Sequence, residues 1–170
     1  MTDPRRLVIG MDSSTQSVKA VAWDRAGNPV AEGRAPHTLS QPSALEAEQD
    51  AREWWQAACA ALRAVTAEVD PGRIDGIAIS NQRETMVLLD RAGEPLAPAT
   101  LWLDTRAQAT TSVLAAELGA DLLHGTSGKP VDVCACVYRL RWMRDHRPDH
   151  LDRAATITGV QGYLTLKLTG

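Results

Sequence analysis

The stretch Leu7-Val8-Ile9-Gly10-Met11-Asp12-Ser13-Ser14-Thr15-Gln16-Ser17-Val18-Lys19 limits the folds open to this chain more than any other. A short apolar run stops at an acid, crosses five small or polar residues, and resumes at Val18, Ala20, Val21 and Trp23. That pattern predicts a β-hairpin whose turn carries chemistry. Successive backbone N–H groups there, with the hydroxyls of Ser13, Ser14, Thr15 and Ser17, make an anion nest. Lys19 adds positive charge, and Asp12 is placed to hold a hydrated cation. An ordinary polar hairpin ending a strand on Asp12 suits the same residues, and the two readings stand level on the residues alone.

The rest of the chain agrees with a soluble α/β domain. Its 170 residues can bury a real core, and 44% hydrophobic with 23% charged residues is globular composition. A net charge of −3 supplies no basic footprint, so neither nucleic acid nor an acidic membrane is an expected partner. Cys59, Cys134 and Cys136 are odd in number and lack the paired spacing of a metal site, which predicts buried thiols in a reducing compartment. The start Met1-Thr2-Asp3-Pro4-Arg5-Arg6 precedes an apolar stretch too short for a signal peptide, and no run is long enough to span a bilayer. The expected location is the cytoplasm.

Further on, Trp23-Asp24-Arg25-Ala26-Gly27 is matched by Leu89-Asp90-Arg91-Ala92-Gly93, predicting two turns with Gly in the left-handed region. Asp50 and Glu53 resemble a capping box for a helix that places Trp54, Ala58, Leu62, Val65 and Val69 on one face and ends at Asp70-Pro71-Gly72. Ile74 to Ser80 reads as a central strand, with Ile77 and Ile79 on one side, running into Asn81-Gln82-Arg83-Glu84-Thr85 and a strand from Met86 to Leu89. Polar residues at the end of such a strand are where α/β sheets place ligands. Ala97 to Leu101 reads as a strand leading to Trp102-Leu103-Asp104-Thr105-Arg106. Asp104 or Thr105 is expected to cap a helix to about Leu118, and Asp132 another with Val133, Val137, Leu140 and Met143 inward, closed by Pro148. Thr156 to Thr158 predicts a brief strand and Val160 to Leu168 a last helix. The four histidines, His37, His124, His146 and His150, read as surface or structural residues.

The acid-led turn resembles the first phosphate motif of the actin, Hsp70 and sugar-kinase superfamily, except that Ser14 stands where many members carry Gly. A positive φ there would strain a Ser by about 1–2 kcal/mol, so either the turn avoids that region or its neighbours hold the strain. Strand, strand, strand, helix, strand is also the order of the ribonuclease H-like core of that superfamily, which implies a mixed sheet with flanking helices. With Asn81-Gln82-Arg83-Glu84-Thr85, Trp102-Leu103-Asp104-Thr105-Arg106, Gly162-Tyr163-Leu164 and the closing Leu168-Thr169-Gly170, the resemblance narrows to the FGGY family of carbohydrate kinases and covers essentially the whole chain. An actin- or Hsp70-like ATPase is disfavoured because those proteins lack the Arg83-Glu84 and Trp102 group.

What the resemblance implies is specific. It makes the chain, residues 1–170, an incomplete N-terminal portion of the first domain of an ATP- and Mg²⁺-dependent kinase whose second domain is absent. Asp12 would face phosphates and Mg²⁺ through water, and Thr15, Gln16, Ser17 and Lys19 would line the phosphate end of the nucleotide. Arg83 and Glu84 would bind substrate hydroxyls, Trp102 would wall the carbon face, and Asp104 would join the substrate site or merely pair with Arg106 at a helix start. The general-base Asp is expected after Gly170, so this fragment alone should be inactive. The substrate is expected to be a small sugar or polyol. The turn is xylulose kinase-like, whereas residues 81–85 are glycerol kinase-like; Asp132-Val133-Cys134 replaces the Asp-Pro-Tyr of glycerol kinases, which argues for a larger ketopentose or polyol. A catalytically inactive sugar-binding module is the rival of another class. The apolar surface left by an incomplete sheet predicts partial aggregation or a homodimer.

Overall fold

The computed structural model describes residues 6–170. In chain order the first half holds β1 (Leu7–Ser13), β2 (Ser17–Trp23), β3 (Pro29–Pro36), β4 (Glu48–Gln49), α1 (Ala51–Glu68) and β5 (Ile74–Asn81). There follow β6 (Val87–Leu89), β7 (Ala99–Thr100), α2 (Gln108–Leu118), α3 (Ala120–Ser127), α4 (Cys136–His146), α5 (Pro148–Arg153), β8 (Thr156–Thr158) and α6 (Val160–Thr169). These sort into two compact units: residues 6–39, 50–82 and 160–170 form the first, and 40–49 with 83–159 the second.

The first unit is built on a mixed sheet ordered β3-β2-β1-β5, antiparallel except that β5 runs parallel to β1. β1 alternates strictly: Leu7, Ile9, Met11 and Ser13 are buried, while Val8, Gly10 and Asp12 are exposed. The helix α1 packs on β2 and β3, burying Trp54, Ala57, Ala58, Ala61 and Val65, and Trp54 meets Tyr163 of α6 edge to face with ring centroids 6.2 Å apart. The strand β3 lies so close to α1 that a Cβ on Gly33 would sit 2.0 Å from the Ala61 carbonyl oxygen, so only glycine fits there. The expected capping box is not formed. Asp50 Oδ1 accepts from the Arg52 amide at 2.9 Å, but Glu53 turns away to accept from the Thr38 amide at 2.7 Å, tying the end of β3 to the helix start.

Among the strands of this chain β5 stands at the edge of the sheet, and most of its residues are exposed, Ile77 at 42%. The two matched turns are the same structure twice. Asp24 Oδ1 accepts from the amides of Ala26 and Asn28, Asp90 Oδ1 from those of Ala92 and Glu94, and Gly27 and Gly93 have φ of 86° and 77°.

In the second unit, β6 pairs antiparallel with β8 and β4 with β7, and small apolar clusters form around Met86, Leu88 and Met143 and around Ala107, Leu114 and Tyr138. The expected helix caps fail here. α2 begins after Ala107 with no side-chain cap, because Asp104 is engaged elsewhere. α4 begins after Ala135, and Asp132 Oδ1 accepts from the Cys134 amide at 2.7 Å in a local turn. Val137 of α4 is exposed, and Tyr138 and Arg139 take the inward positions instead. Pro148 opens α5 at its first turn as well as closing the helix before it. Helix α3, which the sequence pattern did not resolve, is set off from α2 by Gly119 at φ 89°.

Candidate functional site

The polar turn of the first unit joins β1 to β2, and the hydroxyls of Ser14, Thr15 and Ser17 make hydrogen bonds within the unit. The Ser14 amide and hydroxyl both donate to the Ser17 carbonyl, at 3.0 and 3.1 Å. Thr15 Oγ1 donates to Gln82 Oε1 at 3.2 Å, and Ser17 Oγ, buried, accepts from Arg34 Nε at 3.1 Å. Ser13 is fully buried, and its hydroxyl has no hydrogen-bond partner among the described residues. Of the four hydroxyls expected to face an anion, those of Ser14, Thr15 and Ser17 make hydrogen bonds that shape the turn, and Ser13 and Ser17 are buried. Ser14 is not at positive φ, so the turn avoids the left-handed region and carries no strain on that account.

Asp12 stands exposed at the end of β1, opposite Lys19 of β2 and beside Ser80 of β5. Its carboxylate makes no hydrogen bond or ion pair with the described residues, so it is available to a cation. Lys19 points to Glu32, Nζ to Oε2 3.0 Å, with both side chains about half exposed. Asp12, Lys19 and Ser80 border a concavity of about 450 Å³ on the sheet's open face, whose apolar end is Gly10, Val21, Trp23 and Ala78. Behind the turn, the His37 amide donates to the Gln16 carbonyl at 3.1 Å, and the imidazole is hydrogen-bonded to the Ser14 main chain. Burial holds the His37 pKa below its usual value, only partly offset by Ser14 and by the Glu53 carboxylate.

In the second unit, the segments around Glu84 and Trp102 meet. The Trp102 amide donates to Thr85 Oγ1 at 3.3 Å, and the Trp102 residue is 42% exposed. Glu84 has φ 54°, the only non-glycine residue at positive φ among the described residues. Its Oε2 accepts from the Cys136 amide at the start of α4 (3.1 Å), a favourable place for a carboxylate, and its Oε1 pairs with Lys129 Nζ. Arg83 is exposed and makes no ion pair among the described residues.

Asp104 is wholly buried, and both its oxygens are occupied. Oδ2 accepts from the Ala47 amide at 2.9 Å and from Arg106 Nη2 at 2.7 Å, and Oδ1 from Arg106 Nε at 2.9 Å. Arg106 also reaches Glu48 at 2.7 Å. Burial disfavours its charge, but the Asp104 and Glu48 carboxylates outweigh that and raise its pKa. Of the two readings open for Asp104, the pairing with Arg106 is the one these contacts describe.

Sequence reasoning missed Lys129, Cys136 and Arg139. Arg139 Nη1 donates to the Leu101 carbonyl at 2.9 Å and Nη2 to the Glu84 carbonyl. A charged residue in the inward register of an otherwise apolar helix face was the available signal for it.

Comparison with known proteins gives a consistent result. Residues 7–170 match the model of the FGGY family of carbohydrate kinases, N-terminal domain. A xylulose kinase of Streptomyces rubiginosus is 37% identical over 166 residues, covering 96% of this chain and 34% of the relative. A glycerol kinase of Methylorubrum populi is 33% identical, covering 94% of this chain and 33% of the relative. In structure, the xylulose kinase from Rhodospirillum rubrum superposes with a TM-score of 0.90 at 29% identity, over 95% of this chain and 33% of its own. The chain thus spans about a third of the length of the relatives it matches. Fold, motif order and family model agree, and the chain belongs to the FGGY family of carbohydrate kinases.

Proposed function

We propose that this chain is the N-terminal portion of the first domain of an ATP-dependent sugar kinase. The enzyme is xylulose kinase-like and transfers the γ-phosphoryl of ATP to a hydroxyl of a ketopentose or polyol. The observation that carries the substrate side is the meeting of the Glu84 and Trp102 segments in one unit. A polyol needs fixed acceptors and donors for its hydroxyls and an apolar wall for its carbons. Glu84 is the acceptor, Arg83 the donor and Trp102 the wall. Asp104 is assigned to holding the Trp102 loop through Arg106 and the Ala47 amide, not to touching substrate.

On the nucleotide side, ATP would supply the phosphoryl group and Mg²⁺ would neutralise its charge. The uncommitted carboxylate of Asp12 fits a hydrated Mg²⁺, which would be held through water. Thr15 and Gln16 carry the turn that faces phosphate, Lys19 lends positive charge beside it, and Ser17 supports the turn from below through Arg34. The base that takes the substrate proton is assigned to a segment beyond Gly170. The three free thiols fit a reducing cytoplasm, and among the described residues no helix is long and apolar enough to cross a membrane.

A glycerol kinase-like enzyme is the second reading, favoured by residues 81–85 and by the glycerol kinase relative. Cys134, where a substrate-contacting Tyr is expected for glycerol, weighs against it. Both are tested by ADP release from the full-length protein with ketopentoses, pentitols and glycerol in turn. The reading requires one of the first two classes to drive turnover best. ATP consumption that no sugar or polyol raises would leave an inactive binding module.

A further inference from the structure

We propose that Arg139 is the positioning residue of the substrate wall. Its guanidinium joins the main chain of the Glu84 turn to that of the Trp102 loop and sets the backbone conformation from which Glu84 meets the substrate. The inference rests on the kinase reading of Glu84 and Trp102 and adds the residue that holds them.

Arg139 is completely buried, and no carboxylate pairs with it among the described residues. Its charge is met by two main-chain carbonyls, Leu101 at 2.9 Å and Glu84, and by Cys136 Sγ at 3.5 Å, while Nε is buried with no hydrogen-bond partner. By the energetics of burial this is a poor arrangement. A buried charge without a counter-ion costs stability, and an apolar side chain of similar volume would fill the space more cheaply. Such local violations of stability rules are found where function constrains a position.

What the constraint is follows from Glu84. A non-glycine residue at φ 54° stays there only if its surroundings hold it. Two of its contacts, from the Cys136 amide and Lys129, act on the flexible carboxylate and can be kept at other backbone angles. The Arg139 contact acts on the Glu84 carbonyl itself, so it bears directly on the peptide, beside the neighbouring ties of Thr85 to Trp102 and of Met86 to Thr100. The planar fork of the guanidinium then carries that fixation to Leu101, the residue before Trp102, at a set spacing that a single ammonium cannot reproduce. The acceptor and the apolar wall are thereby held in register with each other.

The test uses the full-length protein with its best sugar. Arg139→Met should raise the sugar KM by about tenfold or more while leaving the KM for ATP nearly unchanged, because the clamp touches only the substrate wall. Arg139→Lys, which keeps the charge but not the fork, should fall between the two and decides the matter if the Met variant does not fold. Combined with Glu84→Ala, either substitution should add far less than it does alone, as expected for residues acting as a unit. A folded Arg139 variant with an unchanged sugar KM, a parallel rise in the KM for ATP, or full additivity with Glu84→Ala overturns the inference. If Glu84→Ala raises the sugar KM and the Arg139 variants do not, only the positioning role fails. No sugar-dependent turnover in the unmodified protein overturns the kinase reading and this inference together.

Discussion

Glu84 at φ 54° invites a comparison of Glu84→Ala with Glu84→Gly. Both remove the same side-chain contacts: the hydrogen bond from the Cys136 amide and the half-exposed pair with Lys129, of which the second is worth at most about 1 kcal/mol. Those losses cancel in the comparison. What remains is the backbone. Alanine keeps the left-handed strain of about 1–2 kcal/mol and glycine does not. Against this, glycine is more flexible in the unfolded chain, which costs about 0.4–1 kcal/mol. The balance favours Glu84→Gly by about 1 kcal/mol, the reverse of the usual order at an ordinary site. Urea unfolding of the two variants, compared at equal slope, measures it. If Glu84→Ala proves the more stable, residue 84 does not hold its left-handed conformation in solution, and the clamp argument loses its premise. The functional arm is separate: Glu84→Ala should weaken sugar binding by about 1.5–3 kcal/mol, roughly ten- to hundredfold, and unchanged sugar affinity in the folded variant would remove Glu84 from the substrate site.

Gly33→Ala should destabilise by about 1–3 kcal/mol or more, read as a lower urea midpoint, because its Cβ would meet the Ala61 carbonyl oxygen at 2.0 Å and backbone must move on both sides. Asp12→Asn in the full-length protein should cut turnover by about 10²-fold or more while calorimetric sugar binding stays intact; a loss of only a few-fold would take Asp12 off the nucleotide side. His37, with its folded pKa held below 6.5 by burial, binds a proton less readily folded than unfolded, so its contribution to stability is flat above that pH and is lost as pH falls below it. Unfolding midpoints at about pH 7.5 and about pH 5.5 should differ less in His37→Gln than in the parent, and an equal difference would refute the assignment.

The hairpin of β1 and β2 was legible because its alternation is strict and its turn residues are dense. The twin turns at Asp24 and Asp90 were legible because each is a closed local circuit of hydrogen bonds that needs nothing from the rest of the chain. The strand β5 was placed, and among the strands of this chain it stands at the edge of the sheet. An apolar run says that a strand can be buried on both sides, yet whether it is central depends on what pairs with its far edge, which its own residues do not encode. The cap assignments failed for a related reason. Asp104 has a part-buried guanidinium and a distant amide to satisfy, and those outweigh a place at the start of α2. Glu53 likewise serves the Thr38 amide in preference to its own helix.

For the candidate site, residue type was readable and commitment was not. In the turn between β1 and β2, four hydroxyls looked like ligands; those of Ser14, Thr15 and Ser17 make hydrogen bonds within the unit, and that of Ser13 is buried without one among the described residues. What stands open there is the Asp12 carboxylate, the Lys19 ammonium beside Glu32 and the main chain, a smaller set that depends more on the turn's exact shape. In the proposed substrate wall the error runs the other way. Glu84 was proposed from its place between two strands, but the groups that hold it, from Lys129, Cys136 and Arg139, lie 45, 52 and 55 positions along the chain. Polar residues in a loop are overcounted as ligands because the loop's own hydrogen-bond needs are invisible in a pattern. Polar residues in a core are undercounted because burial hides the fact that they, and not the loop, decide where the ligand-binding atoms stand. A substitution at Arg139 should therefore change substrate recognition more than one at Ser13 or Ser17 changes phosphate recognition, although only the serines lie in the motif.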